Sequence, residues 1–120
     1  MLAVEHISAV TFAVRDMARS VAFYRKLGLR LIRGGQHSSF SSFRLGEAYV
    51  NLATASSYDG EWWGRVIFRV NDVDAYHQSL TEAGLKPDQP KDAPWGERFF
   101  HLVDPDGHEL SFAQLLLSES

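Results

Sequence analysis

The 120-residue sequence contains no cysteine, which removes disulfide bridges, thiolate nucleophiles and every cysteine-containing metal site at once. It also lacks a long apolar run. The longest stretches, Val10 to Val14 and Leu115 to Leu117, fall far short of the roughly 20 residues that cross a bilayer, so no membrane partner is expected. Basic residues are outnumbered by acidic ones, 12 against 15 for a net charge of -3, which argues against a nucleic-acid partner held by counterion release. The segment Met1 to His6 has no basic region ahead of an apolar one, so a secretory signal is not expected and the expected location is the cytoplasm. Catalytic signatures are missing as well. There is no Gly-x-Ser-x-Gly elbow, and the five histidines show no HxH, HxxxH or HExxH spacing. Gly34-Gly35 is not followed by the Gly-Lys-Ser/Thr of a phosphate loop, and Glu47, Glu61, Glu97 and Glu109 are scattered.

What is present is a globular composition, 45% apolar and 22% charged, sized for one domain with one well-buried core. A repeat organises it. Val10-Thr-Phe12-Ala-Val14-Arg-Asp16 lies on Val66-Ile-Phe68-Arg-Val70-Asn-Asp72 without a gap, and Gly28-Leu29 lies on Gly84-Leu85 in the same register. Each unit reads as a β-branched and aromatic run, an acidic N-cap, a helical pattern and a closing glycine. Met17, Val21, Tyr24 and Leu27 recur on one face of the first helix, as do Val73, Tyr76, Leu80 and Ala83 on the second. Strands are expected over Arg30 to Gln36, Ser39 to Leu45 and Ala48 to Ala55, then over Lys86 to Lys91, Arg98 to Val103 and Glu109 to Leu115. Ser38-Ser39 and Ser41-Ser42 read as a polar hairpin turn, Asp104-Pro105-Asp106-Gly107 as a tight turn, and Ser56 to Glu61 as the linker. The expected fold class is α+β, a single domain over residues 1–120 built from two tandem βαβββ modules, about 4–56 and 62–117.

Asp16, Phe23-Tyr24 before Leu27-Gly28-Leu29, the Asp-Pro-Asp-Gly turn before a terminal strand, and the duplication together resemble the vicinal oxygen chelate superfamily over essentially the whole chain. That superfamily holds glyoxalase I, extradiol dioxygenases, fosfomycin-modifying enzymes and bleomycin resistance proteins. The resemblance implies that each module forms a curled, incomplete barrel of mixed sheet and that two modules enclose a cleft. It also implies four metal-ligand positions, which fall on Ala9, Asn51, Arg65 and Ser111. Divalent metals want imidazole, thiolate or carboxylate donors. Alanine offers none, arginine is a permanent cation, and asparagine and serine are weak neutral donors, so no metal and no other cofactor is expected.

Aromatic side chains remain: Phe40, Phe43, Tyr49, Trp62, Trp63, Trp95, Phe99 and Phe100. Core packing is the expectation for Phe43, Phe99 and Phe100 taken singly. Trp95 differs, because Ala93-Pro94-Trp95-Gly96-Glu97-Arg98 reads as a loop tip and resembles the Pro-Trp-Gly segment of bleomycin resistance proteins, as Ser8-Ala9-Val10 resembles their first strand. In those metal-free proteins a Trp from one subunit and a Phe from the other sandwich a planar ligand. The resemblance thus implies a small-molecule ligand, ring stacking by Trp95 and Phe40, a homodimer, and a role in antibiotic resistance. Arg65, Asn51, Ser111, Trp63 and His101 complete the expected binding residues, with no catalytic residue among them. The alternative is a glyoxalase-like lyase, isomerase or dioxygenase with an atypical or absent metal site, in which Arg65 grips an anionic substrate and His101 or Glu109 moves protons.

Overall fold

A computed structural model describes residues 2–116. The chain divides into two compact units between Asp59 and Gly60, and each repeats one plan. The first runs β1 (Ala9–Val14), α1 (Met17–Lys26), β2 (Arg30–Arg33), β3 (Phe40–Leu45) and β4 (Ala48–Thr54). The second runs β5 (Arg65–Arg69), α2 (Val73–Glu82), β6 (Lys91–Ala93), β7 (Glu97–Val103) and β8 (Glu109–Leu115). The sheet orders are β1-β4-β3-β2 and β5-β8-β7-β6. In both, the first and last strands pair in parallel and the other pairs are antiparallel. This is the α+β fold of two unclosed mixed sheets expected from the repeat.

Both helices start and stop where the sequence says they must. The Asp16 carboxylate accepts from Arg19 N at 3.1 Å and Asp72 from Ala75 N at 3.1 Å, each satisfying one of the orphan amides of a first turn. At the other end Gly28 and Gly84 adopt φ of 93° and 90°. That left-handed turn lets Leu29 N reach Tyr24 O and Leu85 N reach Leu80 O, closing the last helical carbonyls.

Strand alternation sorts side chains between the helix-packed face and the open face of each sheet. In the first module Phe12 stacks on Tyr24 and Tyr24 meets Phe43, and all three are fully buried. In the second, Phe112 packs against Phe68, Phe100 and Tyr76 at 5.3, 5.2 and 5.1 Å. Burial there pushes the Tyr76 phenol up to about 12. The residues between these, Ala9, Ser42 and Asn51 in one module and Arg65, Phe99, His101 and Ser111 in the other, stand on the opposite faces.

Three local expectations need correction. β2 stops at Arg33 rather than Gln36, because Gly34 turns away at φ 81° and passes so close to the next strand that a Cβ there would lie 2.2 Å from Phe40 O. Ser41 and Ser42 are not turn residues. They are buried inside β3, the first bonding Gly35 and the second Asn51, so their hydroxyls are satisfied without solvent. β6 occupies Lys91–Ala93 and not Lys86 to Lys91, since Pro87 and Pro90 cannot donate to a ladder. In that stretch the Asp88 side chain takes the His101 amide at 2.7 Å in place of a strand carbonyl.

Candidate ligand-binding site

β5, β7 and β8 bring four polar side chains to the open face of the second module. Arg65 is the hub. Its Nη1 lies 2.8 Å from His101 Nδ1, 3.0 Å from Ser111 Oγ and 3.4 Å from Leu110 O, and its Nη2 donates to Glu109 Oε1. His101 Nδ1 and Ser111 Oγ are themselves 2.7 Å apart, as their register as direct partners requires. Arg65 and Glu109 are also register partners across the parallel β5–β8 pair. Burial pushes the His101 imidazole below its ordinary value and the adjacent Arg65 charge pushes it further down.

From His101 the face continues as rings. Phe99, two residues back on β7, lies 5.1 Å from His101, and Trp95 stacks on Phe99 with centroids 6.0 Å apart and planes 22° apart. Pro94 and Gly96, the latter at φ 93°, frame the turn between β6 and β7 that holds Trp95. The indole N–H is anchored to Glu97 Oε1 at 2.8 Å, yet the residue is 68% exposed. A large ring fixed by a hydrogen bond and left open is costly unless it has something to contact.

The equivalent face of the first module carries a cavity of about 330 Å³ lined by Ala9, Ile32, Arg33, Phe40, Ser42, Tyr49 and Asn51. Phe40 is 42% exposed at the start of β3. Ser42 donates to Asn51 Oδ1 at 2.7 Å and Asn51 Nδ2 to Thr11 Oγ1 at 3.3 Å. The sheet registers align the modules residue by residue, Ser42 and Asn51 being partners as His101 and Ser111 are.

Of the residues expected at a binding site, Arg65, His101 and Ser111 therefore form one cluster with Trp95 along the same face, and Asn51 and Phe40 share the first module's cavity. Trp63 is placed differently. Its indole donates to His108 Nδ1 at 2.7 Å and lies edge-on to that ring, tying the segment ahead of β5 to the residue that follows the Asp-Pro-Asp-Gly turn. Phe43 and Phe100 are core residues, but Phe99 is half-buried on the open face, against the core expectation for it. The signal was available in the alternation of Glu97, Phe99 and His101 against buried Phe100 and Leu102. Ser42, missed as a turn residue, is the other addition.

The family's metal does not fit these donors. In the second module one ligand position is filled by a guanidinium whose N–H groups point at the other, Ser111, and at the imidazole. A cation placed there would meet a fixed positive charge. In the first module Ala9 has no side-chain donor atom, and the Asn51 carbonyl oxygen, a weak neutral donor, already accepts from Ser42. Among the described residues no group of three His, Asp or Glu side chains converges, and no helix is long and apolar enough to cross a membrane.

The family model for the Glyoxalase/Bleomycin resistance protein/Dioxygenase superfamily matches residues 5–112. The chain belongs to that superfamily. No curated protein matches it. Among solved structures, TnmS3, an antibiotic binding protein from Streptomyces sp. CB03234, is 28% identical with a TM-score of 0.75, covering 96% of this chain and 99% of its own. The bleomycin resistance determinant encoded on transposon Tn5 is 20% identical with a TM-score of 0.80 over 94% and 100%. A lactoylglutathione lyase from Agrobacterium tumefaciens is 18% identical with a TM-score of 0.78 over 93% and 95%. The superfamily's fold therefore holds both binding proteins and enzymes, and the site has to separate them.

Proposed function

We propose that this chain is a metal-free binding protein of the superfamily that sequesters a planar or apolar small molecule, a role suited to antibiotic resistance. The observation that carries the reading is the Trp95–Phe99 stack, an exposed ring shelf on the open face of the second module, ending at an arginine where the superfamily's enzymes need a ligand atom. Flat rings give large contact area at low entropic cost, and a short polar cluster at the end of the shelf orients what lies on it. The half-exposed Phe40 in the first module's cavity offers a second stacking surface, with Asn51 lining the same cavity. The working form is a homodimer, as a sheet with an open apolar-aromatic face gains by pairing. Light scattering at micromolar concentration checks the homodimer. The kinship with an antibiotic binding protein supports the class of ligand without naming it.

The test is a panel of planar aromatic compounds titrated into the purified protein with and without a chelator. Micromolar binding that is indifferent to the chelator, in a protein carrying no stoichiometric metal by elemental analysis, is the expected outcome. Turnover of a glyoxalase-type substrate that depends on added divalent metal would overturn the reading and favour the lyase or dioxygenase alternative.

A further inference from the structure

Arginine has five N–H donors and no acceptor. The 2.8 Å contact between Arg65 Nη1 and His101 Nδ1 therefore has only one chemically sensible polarity: Nδ1 accepts, and carries no proton. Ser111 Oγ lies 2.7 Å from the same nitrogen and accepts from Arg65 at 3.0 Å, so its own hydrogen can only share that lone pair, which is compatible with an unprotonated Nδ1. The neutral ring's proton must then sit on Nε2. That atom has no hydrogen-bond partner among the described residues, and it is not fully buried, since the one fully buried, unpartnered side-chain polar atom among them is His77 Nε2. Beside it, the positive charge of Arg65 is matched by the Glu109 carboxylate.

We infer that the Arg65–Glu109–His101–Ser111 cluster is a charge-neutral donor site that recognises an uncharged carbonyl or phenolic oxygen on the ligand through the His101 Nε2–H. This rests on the stacking reading above and specifies the ligand's chemistry. An anionic group would find the Arg65 charge already balanced by the Glu109 carboxylate beside it, so it gains no net attraction. A cationic group would meet Arg65 and a ring nitrogen that donates. An oxygen at the edge of a ring system lying on Trp95 and Phe99 meets the imidazole donor, and a donor that a ligand strips of water without replacing the bond costs more than a hydrogen bond returns. Burial and Arg65 both favour the neutral imidazole, which leaves Nδ1 free to accept from Arg65 and keeps the cluster without net charge.

Three probes of one ring shape test it: fluorene, 9-fluorenone and 9-fluorenone-4-carboxylate, titrated calorimetrically at neutral pH into the full chain and into His101→Phe. Fluorenone should bind about fivefold to tenfold more tightly than fluorene, the carboxylate no more tightly than fluorenone, and His101→Phe should erase the fluorenone advantage. Equal affinities for fluorene and fluorenone in the natural protein would overturn this inference while leaving the stacking reading intact. A carboxylate that binds tightest would overturn it in favour of an arginine anion clamp. Failure of all three to bind overturns the stacking reading and this inference with it. Nitrogen-15 shifts of the His101 ring in the ligand-free protein give a check that needs no variant: a proton on Nδ1 contradicts the inference.

Discussion

Trp95→Ala separates a ring kept for the fold from one kept for a ligand. Trp95 is 68% exposed, so about a third of its roughly 200 Å² is buried, mostly against Phe99, and truncation should cost at most about 1.5–2 kcal/mol of stability. A fully buried core ring such as Phe100 would instead cost about 3–5 kcal/mol. On the binding side, a flat ligand covering about half of the exposed ring removes roughly 70 Å² of indole and as much of itself from water, worth ~3.5 kcal/mol by area. Part of this returns, since truncation uncovers the Phe99 face. A net loss of about 2 kcal/mol, a Kd roughly 30-fold weaker, is the expected result. Denaturant unfolding gives the first quantity and calorimetric titration with 9-fluorenone the second. Loss of folding in the variant, or an unchanged Kd, would refute the reasoning.

Arg65→Met should let the His101 pKa rise toward its ordinary value, because the neighbouring positive charge is gone while part of the burial remains; an NMR titration of the imidazole checks this, and an unchanged or lower value counts against the placement. In the natural protein the sign of the linkage is fixed: the unfolded His101 binds a proton near 6.5 and the folded one only below it. Its contribution to stability is therefore present above that range and is lost as pH falls through it, and Arg65→Met should flatten this acid-side decline in unfolding experiments. Asp104→Ala should cost about 2–4 kcal/mol, since the buried carboxylate accepts from Asp106 N and His108 N, both at 2.9 Å, and leaves two amides unpaired. A loss under 1 kcal/mol in denaturant unfolding would contradict that account of the turn.

The architecture was legible because its signals are short-range and duplicated. Asp16 and Asp72 cap helices, Gly28 and Gly84 close them, and the register carrying one onto the other also carries β1 onto β5. Loop-tip placement of Trp95 was legible too, from the proline and glycine around it. What escaped depends on partners distant in sequence. Nothing local distinguishes Ser42 in a turn from Ser42 buried under Asn51, or tells that Glu109 sits across a parallel strand pair from Arg65 and takes up the charge an anionic substrate would need. Phe99 reads as core by residue type, and only the period-two alternation of β7 assigns Phe99 and Phe100 to opposite faces. The bond from Trp63 to His108, 45 residues apart in sequence, is likewise invisible locally.

The central claim, that the ring shelf of the second module holds a ligand and does so without metal, is tested most directly by the three indole N–H resonances of the nitrogen-15-labelled protein. They are followed during titration with 9-fluorenone in the presence of a chelator. The Trp95 signal should shift progressively and saturably while that of Trp63, held by His108, stays in place. A Trp95 resonance that does not move at saturating ligand, or one that moves only when a divalent metal is supplied, would contradict the account.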